Sequence, residues 1–262
     1  MEQGNATGDM YLEERRQEIF KFIESNGRVS VNELADKFEV SPVTVRSDLQ
    51  ALAKRNLIVR THGGAVTPGR GSRELSLAVR TQQQTSEKDR IGLAAAALIS
   101  DDNAVIIDSS STALAIARHL RQHRDLTILT NGIALAYEML DAQGVTVLMP
   151  GGTVRRDMGS LTGGNDLESF RKFNIQRGFF GAYGLSLPEG LTDVSLAEAE
   201  TKRKLVAMCR EVVAVIDSTK WGRFGLASFA APEIIHRVIT DVHAPPDLVE
   251  QVRELGIQVD LV

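Results

Sequence analysis

A single cysteine, five scattered histidines and the lack of a long apolar run limit what this chain can be. Cys209 has no partner for an internal disulfide, and the apolar helical stretch around it indicates a core residue. His119 and His123 are four residues apart but end an Arg-rich helix, which is typical of a solvated face. The sequence therefore predicts no metal site and no cofactor.

No run of 18 apolar residues and no basic-then-apolar leader occurs in the 262 residues. These absences predict that the chain has no membrane partner and a cytoplasmic location. The length and the 43% hydrophobic composition are enough for a small N-terminal domain and one large globular domain with a full core.

The segment 29–48 has the pattern of two short helices joined by a tight turn. Apolar residues recur at i, i+3, i+4 and i+7 from Val31 to Phe38, so they share one face of a first helix. Ser41 can cap a second helix through its hydroxyl, and Pro42 suits the first helical position. The second helix is therefore predicted from Pro42 to about Arg55.

This second helix would turn polar side chains to the solvent, because Val45, Leu49 and Leu52 face inward. Arginine can bond guanine twice, the threonine methyl suits thymine, and a helix N-terminus attracts phosphate. These are the residue types that read a major groove. We predict base contacts from Thr44, Arg46 and Ser47, and phosphate contacts from Ser41, Lys54, Arg60 and His62.

Positive charge is concentrated around this helix. Residues 40–70 hold five basic side chains against one acidic side chain, Asp48, whereas the whole chain carries a formal charge of −4. Two short strand runs around Gly63-Gly64 predict a hairpin wing that would lie beside a DNA backbone. A three-helix domain that binds only protein is the alternative.

An amphipathic helix precedes the pair and ends at Asn26-Gly27, and residues 1 to about 11 are predicted to be disordered. The residues that make this helix amphipathic are Leu12, Arg16, Ile19, Phe22 and Ile23. Gly, Pro and Ser cluster between Thr67 and Glu74, which predicts a linker. We assign a winged helix-turn-helix domain to 12–67, a linker to 68–76 and a second domain to 77–262.

The second domain is predicted to be α/β. A helix from about Leu77 to Ile99 is followed by short, β-branched, apolar runs that alternate with amphipathic helices, as in a parallel sheet covered by helices. The strand candidates are 104–107, 127–129, 146–149, 177–183, 212–216, 237–240 and 258–261.

Ligands gather at the carboxyl ends of such strands, and several loops there are rich in small and polar residues. The segment Asp108 to Thr112 leads into a helix, so its hydroxyls and free N–H groups can hold a phosphate or carboxylate. Simple helix capping needs only one of these hydroxyls, which favours an anion site. The segment consists of Asp108, Ser109, Ser110, Ser111 and Thr112.

Other strand-end loops carry weaker signals that together would surround one small polar ligand. Glu198 and Lys202 also fit an ordinary surface salt bridge, because they are four residues apart. Lys220 follows a strand and suits either a phosphate or a solvated loop. The further candidates at these ends are Asn131, Gly152, Arg155, Tyr183 and Asp193.

The ordered set of motifs resembles DeoR-type transcriptional regulators, in the group that controls sugar catabolism and includes glycerol-3-phosphate and N-acetylgalactosamine repressors. The resemblance covers Arg15 to Val262. It is carried by SPVTVRSDL at 41–49, RTHGGA at 60–65, EKDRIGLAAAALI at 87–99, DSSST at 108–112, TNG at 130–132, PGG at 150–152, GLT at 190–192, DSTKW at 217–221 and TD at 240–241.

The resemblance implies a winged helix-turn-helix joined to an effector-sensing domain similar in fold to ribose-5-phosphate isomerase and glucosamine-6-phosphate deaminase. It implies operator DNA and a phosphorylated sugar as partners, with the phosphate loop at 109–112 and other ligand-facing loops at Asn131, Gly152, Glu198, Lys202 and Lys220. Many members have Gly-Thr-Thr where this chain has Ser110-Ser111-Thr112, so a smaller or unphosphorylated effector stays open.

We therefore expect a repressor of a carbohydrate-catabolism operon that binds DNA as a homodimer or homotetramer, since one head on one half-site binds weakly. An isomerase or deaminase is the alternative, for which Asp193 and Glu198 are the candidate bases. Fold alone is a poor argument for such chemistry. An activator that needs its ligand to bind DNA differs only in the sign of coupling.

Overall fold

The computed structural model describes residues 7–26, 28–54, 58–61, 63–66, 75–164, 167, 170 and 172–262. The chain divides into two compact units between Leu75 and Ser76. We call them the head and the sensor unit and describe each by itself. Most of the predicted linker, 68–74, lies outside the described residues.

The head contains three helices and a small antiparallel sheet, so the predicted winged helix-turn-helix is confirmed. The Ser30 hydroxyl and the Glu33 carboxylate cap helix α2 reciprocally, and this capping box fixes where the helix begins. Helix α1 begins within the stretch that was predicted to be disordered, so that prediction is wrong from residue 7 onward. The elements are α1 Thr7–Asn26, β1 Arg28–Ser30, α2 Val31–Lys37, α3 Pro42–Lys54, β2 Val59–Thr61 and β3 Gly64–Val66.

The wing is the hairpin of β2 and β3, and β1 pairs with the far side of β3. The approach is close at one glycine: a Cβ on Gly64 would lie 2.0 Å from the Val29 carbonyl oxygen. Only glycine lets the wing add to β1 at this position. The hairpin was predicted from the sequence, but β1 was not, because its three residues carry little pattern.

The core of the head is formed by the apolar faces of the three helices. Val45, Leu49 and Leu52 are buried, as the helical spacing predicted, and they pack with Ile19 and Ile23 of α1 in the same interior. Their burial leaves the opposite face of α3 to the solvent.

One acidic side chain is buried in the head. Asp48 of α3 accepts hydrogen bonds from Arg15 Nε at 2.8 Å and Arg16 Nε at 2.9 Å. Both arginines lie on α1, so the two ion pairs tie α1 to α3. Because Asp48 is paired inward, its charge is kept off the exposed face of α3.

The sensor unit is built around a seven-stranded parallel sheet in the order β15-β14-β12-β9-β4-β5-β6. Each of its strands was predicted from an apolar run, and the observed bounds differ by only a residue or two except at β9, which is shorter. The strands are β4 Ala104–Ile107, β5 Leu126–Leu129, β6 Val145–Leu148, β9 Arg177–Phe180, β12 Glu211–Val215, β14 Arg237–Thr240 and β15 Gln258–Leu261.

Helices cover both faces of this sheet, and two apolar clusters fill the layers. Phe180 belongs to one cluster and its neighbour Phe179 to the other, because successive side chains of a strand point to opposite faces. The predicted α/β class is therefore confirmed. The helices are α4 Leu77–Thr81, α5 Thr85–Ala96, α6 Ser111–His119, α7 Ile133–Glu138, α8 Leu196–Val206 and α9 Pro246–Glu254.

Two small antiparallel sheets flank the parallel one. The hairpin β7–β8 stands as its own two-stranded sheet, and β10, β11 and β13 form another. The sequence did not predict these strands, because three or four residues leave almost no alternation of polar and apolar side chains. The strands are β7 Thr153–Arg155, β8 Ser160–Thr162, β10 Gly184–Ser186, β11 Gly190–Asp193 and β13 Ala227–Ala230.

The predicted single helix from Leu77 to Ile99 is wrong. The chain leaves the helical path after α4 and re-enters it at α5, with Gln84 in the left-handed region at φ 50°. A non-glycine residue rarely adopts this conformation, so the local sequence gives no warning of the break. The break matters because α4 is the first helix of the sensor unit after the linker.

Cys209 is largely buried next to the first apolar cluster, and its Sγ donates to the Leu205 carbonyl oxygen at 3.3 Å. Burial raises the pKa of its thiol to about 12. Among the described residues, no group of histidine, cysteine and acidic side chains is arranged to hold a metal ion. In the same residues no helix is long and apolar enough to cross a membrane.

Candidate DNA-reading face and effector site

The exposed face of α3 carries the predicted DNA-reading residues. Arg46 and Ser47 are exposed, and Val43 beside them has 72% of its surface open to solvent. Thr44 is half-buried. A row of one cation, hydroxyls and an apolar side chain on one helical face is suited to base edges.

Ser41 caps α3 as predicted. Its Oγ accepts the Thr44 backbone N–H at 3.1 Å and lies 2.8 Å from Thr44 Oγ1. The cap fixes the first turn of the helix and holds the Thr44 hydroxyl, so the threonine methyl is the group left for a base contact.

Three predicted phosphate contacts are described in part or not at all. Lys54 ends α3 and Arg60 lies in β2, but their side chains are outside the described residues. His62 is outside them entirely. The phosphate contacts from these residues therefore stay predictions.

In the sensor unit, the loops at the carboxyl ends of β4, β5 and β9 touch one another. A Cβ on Gly132 would lie 3.0 Å from Ser109 Cα, and a Cβ on Gly181 would lie 2.3 Å from Ser110 Oγ. The two glycines let three loops meet at one place. The candidates Asp108 to Thr112 and Asn131 are thereby brought to the same edge of the sheet.

Ser110 acts as the N-cap of α6, and its Oγ accepts the Ala113 N–H at 3.1 Å. Its φ of −74° is open to any residue, so the loop needs no glycine at this position. Capping uses one hydroxyl. The buried hydroxyls of Ser109, Ser111 and Thr112 make no hydrogen bond to a described residue and can serve an anion at the helix N-terminus.

A buried ion-pair cluster lies directly behind this loop. Lys202 Nζ is 3.1 Å from Asp108 Oδ2 and 3.1 Å from Asp193 Oδ2. It also donates to the Gly181 carbonyl oxygen at 2.9 Å and lies 4.9 Å from the centroid of the Phe229 ring. One cation thus joins the ends of β4, β9 and β11.

Both carboxylate oxygens of Asp108 accept hydrogen bonds within this cluster. Oδ1 accepts the Ser110 N–H at 2.9 Å and Oδ2 accepts the Gly181 N–H at 3.1 Å. Lys202 Nζ also contacts Oδ2, so Asp108 fixes the shape of the hydroxyl-rich loop.

Glu198 is buried beside the hairpin β7–β8 and is not paired with Lys202. Its Oε1 accepts from Ser160 Oγ at 2.5 Å and from Arg155 Nη1 at 3.1 Å. The alternative of an ordinary surface salt bridge between Glu198 and Lys202 is therefore not supported. Both side chains are buried on successive turns of α8, but they reach different partners.

Two buried acceptor atoms at this edge have no hydrogen-bond partner among the described residues: Glu198 Oε2 and Asn131 Oδ1. A buried acceptor without a donor costs roughly 1–3 kcal/mol, so such atoms usually meet a ligand or ordered water. Asn131 Nδ2 donates to the Leu161 carbonyl oxygen at 3.3 Å, which fixes the amide orientation. The arrangement offers two acceptors to a ligand that brings donors.

The remaining candidates are Gly152, Tyr183 and Lys220. Gly152 has φ 145°, and a Cβ there would lie 2.5 Å from the Thr162 carbonyl oxygen, so two backbone segments approach closely at this glycine. The Tyr183 ring is half-buried under the Arg223 guanidinium, 4.6 Å from the ring centroid. Lys220 ends a 3₁₀ turn, Ser218–Lys220, and is half-buried.

Sequence reasoning missed two residues of this region. Ser160 holds Glu198 but has no motif of its own. Lys88 is buried, and its Nζ donates to the carbonyl oxygens of Arg80 at 2.5 Å and Gln83 at 2.7 Å. Burial lowers the pKa of Lys88 to about 8, partly offset by the charge of Asp217. Its position in the EKDRIG motif was the only signal.

Comparison with known proteins gives the same division of the chain. A model of the DeoR-like helix-turn-helix domain matches residues 15–70, and a model of the DeoR C-terminal sensor domain matches residues 83–242. Among solved structures, ribose 5-phosphate isomerase A from Methanocaldococcus jannaschii is similar with a TM-score of 0.40 and 12% identity, over 53% of this chain and 55% of that one.

Curated relatives match nearly end to end. An aga operon transcriptional repressor of Escherichia coli O157:H7 is 34% identical over 95% of this chain and 93% of its own. The glycerol-3-phosphate regulon repressor of Escherichia coli K12 is 31% identical over 95% and 98%. The transcriptional repressor GlcR of Bacillus subtilis is 32% identical over 88% and 89%. The chain belongs to the DeoR family of helix-turn-helix transcriptional regulators.

Proposed function

We propose that this protein represses a carbohydrate-catabolism operon and leaves its operator when the sensor unit binds a sugar phosphate or a related sugar metabolite. The observation that carries the sensor half is the pair of buried acceptors, Glu198 Oε2 and Asn131 Oδ1, beside a hydroxyl-lined helix N-terminus. The names of the relatives, which refer to repressors, support the sign of the regulation.

The polarity of the site supports an effector with two different ends. Ser109, Ser111 and Thr112 at the N-terminus of α6 suit an anion, because helix N–H groups and hydroxyls donate hydrogen bonds to it. Carboxylate and amide oxygens accept hydrogen bonds, so they suit the hydroxyl groups of a sugar. A phosphorylated polyol satisfies both ends, and Lys220 is proposed as a further phosphate contact.

On the DNA side, Thr44, Arg46 and Ser47 are proposed to read bases, with Ser41, Lys54, Arg60 and His62 on phosphates. A homodimer or homotetramer would place two heads on half-sites about 10 bp apart or a multiple of that spacing. A regulator that works on the chromosome in this way acts in the cytoplasm.

We propose no catalysis for the sensor unit. Asp193, a candidate base, has both oxygens engaged, since Oδ2 pairs with Lys202 and Oδ1 accepts the Ser195 N–H at 3.3 Å. Glu198 is held by the Arg155 cation. Incubation with ribose 5-phosphate and with glucosamine 6-phosphate, followed by NMR, should show no conversion; turnover of either compound would favour the enzyme instead.

The test of the main proposal is operator binding by fluorescence anisotropy, using the DNA upstream of the protein's own gene. The purified protein is titrated alone and with each member of a panel of sugar phosphates that includes glycerol 3-phosphate, together with the matching free sugars. Release by one compound supports a repressor and identifies its effector. Tighter binding with a compound indicates an activator or corepressor, and no binding under any condition contradicts the proposal.

A further inference from the structure

The hairpin β7–β8 lies between the acceptor site and α4, the first helix after the linker. A two-stranded hairpin has little stability of its own, so its position is set by what it contacts. Here the contacts are of two kinds, along its two strands and at its tip.

Along its strands, the hairpin holds the acceptor groups of the site. Ser160 and Arg155 both donate to Glu198 Oε1. The other carboxylate oxygen, Oε2, has no hydrogen-bond partner among the described residues. The Leu161 N–H donates to the Asn131 carbonyl oxygen at 2.8 Å, and Ser160 forms a β-bridge with Gly132. A ligand that draws Glu198 or Asn131 toward its own hydroxyls therefore acts on the hairpin directly.

At its tip, the hairpin holds α4. The Leu77 N–H donates to the Asp157 carbonyl oxygen at 2.8 Å, and Arg80 Nη2 donates to Met158 Sδ at 3.5 Å. The Leu77 side chain also lies against Gly159, where a Cβ would be 3.1 Å from its Cδ2. The start of α4 is thus fixed by the turn of the hairpin.

Helix α4 is weakly held elsewhere. None of its residues is fully buried, and its larger apolar side chains, Leu77 and Val79, are only half-buried. Its other end is held by Lys88, which donates to the carbonyl oxygens of Arg80 and Gln83. Segments with few buried apolar contacts open or shift at low free-energy cost. Helix α4 can therefore follow the hairpin more easily than a core helix can.

We propose that the β7–β8 hairpin and α4 carry the ligand signal out of the sensor unit, with Ser160 and Arg155 as positioning residues that couple Glu198 to Leu77. These contacts form a continuous route from the two buried acceptor atoms, Glu198 Oε2 and Asn131 Oδ1, to α4, the first helix after the linker. The consequence for DNA binding rests on the proposed function. The coupling inside the sensor unit does not.

The first test is amide hydrogen exchange in the full-length protein without any ligand. In Ser160→Ala, loss of the hydrogen bond to Glu198 should loosen the hairpin, and the Leu77 amide should exchange roughly 2–10-fold faster, the ratio that one lost hydrogen bond gives. Val154→Ala is the matched control, since Val154 lies in the same hairpin and its side chain is exposed. Arg155→Gln provides a second variant if Ser160→Ala does not fold.

The proposal is overturned if the variants at Ser160 and Arg155 change Leu77 exchange no more than Val154→Ala does. Operator anisotropy of the same proteins then tests the output, with an expected change in affinity of about 5-fold or more at the scale typical of allosteric coupling. Faster exchange with unchanged operator affinity would also overturn the output route. A wild-type protein that binds no DNA would contradict the proposed function, and exchange alone would then decide the coupling.

Discussion

The polar residues of α3 and those of the strand-end site are held in opposite ways. Arg46 and Ser47 stand on one exposed helical face and follow each other in the sequence. Glu198 is buried and takes its partners from residues 38 and 43 positions away. The first set depends on one helix, whereas the second depends on the whole sensor fold.

This difference decides whether a substitution weakens DNA binding or lowers the stability of the fold. An exposed side chain can be removed with little effect on folding, so its loss is felt only where DNA is contacted. A buried charge is part of the fold and of the site at once, and removing its partner leaves an uncompensated charge inside the protein. Changes on α3 should therefore affect one activity, and changes in the buried cluster should affect stability first.

The largest effect is expected at Lys202. Lys202→Met leaves Asp108 and Asp193 buried without their shared cation, which should lower the free energy of unfolding of the sensor unit by about 3–5 kcal/mol. Urea unfolding followed by circular dichroism measures it. Lys204→Met, an exposed lysine on the same helix, is the control and should cost less than about 0.5 kcal/mol. Equal effects of the two would end the distinction between buried and exposed charge.

Next comes Arg46. Arg46→Ala should weaken specific operator binding by about 1–3 kcal/mol and leave the unfolding midpoint unchanged, because the side chain is exposed. Anisotropy with operator and with a scrambled duplex separates specific from general binding. Arg90→Ala, on the exposed surface of the sensor unit, should bind operator like the wild type. A loss of stability in Arg46→Ala equal to its loss of DNA binding would contradict the local role.

The pH dependence of stability distinguishes Lys88 from exposed lysines. The folded pKa of Lys88 is about 8, below the ordinary 10.5, so between these values the unfolded chain binds more protons. Its contribution to stability is full above 10.5 and is lost as pH falls through 8, at no more than about 1.4 kcal/mol per pH unit. From pH 8 to 10 the wild type should gain stability relative to Lys88→Met in urea unfolding; a constant difference would count against the buried cation.

The smallest effect is expected at the cap of α3. Ser41→Ala removes the acceptor of the Thr44 N–H and should cost the head about 1 kcal/mol. Ser47→Ala, an exposed position inside the same helix, should be neutral or slightly stabilising, since alanine is the better helix former. Thermal unfolding of the two variants compares them. A Ser47→Ala loss as large as that of Ser41→Ala would show that the cap is not the cause.

The sequence was sufficient to predict those elements whose signals lie within a few neighbouring residues. The bounds of α2 and α3 followed from apolar spacing, from the Ser41 hydroxyl and from Pro42, all within a few residues. The strands of the parallel sheet followed from apolar runs, because both faces of such a sheet are buried. These elements are confirmed by the structure, as is the family by the comparisons.

The hydrogen-bond and ion-pair partners of the buried side chains could not be predicted from neighbouring residues in the sequence. The i,i+4 spacing of Glu198 and Lys202 favours a mutual salt bridge on an isolated helix, but each side chain is paired with groups contributed by other elements. Asp48 likewise counts as one negative charge in a basic segment, and only the packing of α1 shows that two arginines neutralise it. The break at Gln84 has no signal, because a non-glycine residue such as glutamine rarely adopts the left-handed backbone found there.

The most direct measurement of the central claim is operator anisotropy of wild type, Arg46→Ala and Glu198→Gln with the panel of sugar phosphates and free sugars in the same titrations. We expect wild type to be released by one compound, Arg46→Ala to lose operator affinity, and Glu198→Gln to bind operator while responding at least tenfold less to that compound. Operator binding by wild type that no panel member alters, or release of Glu198→Gln at the wild-type concentration, would contradict the assignment of the effector site.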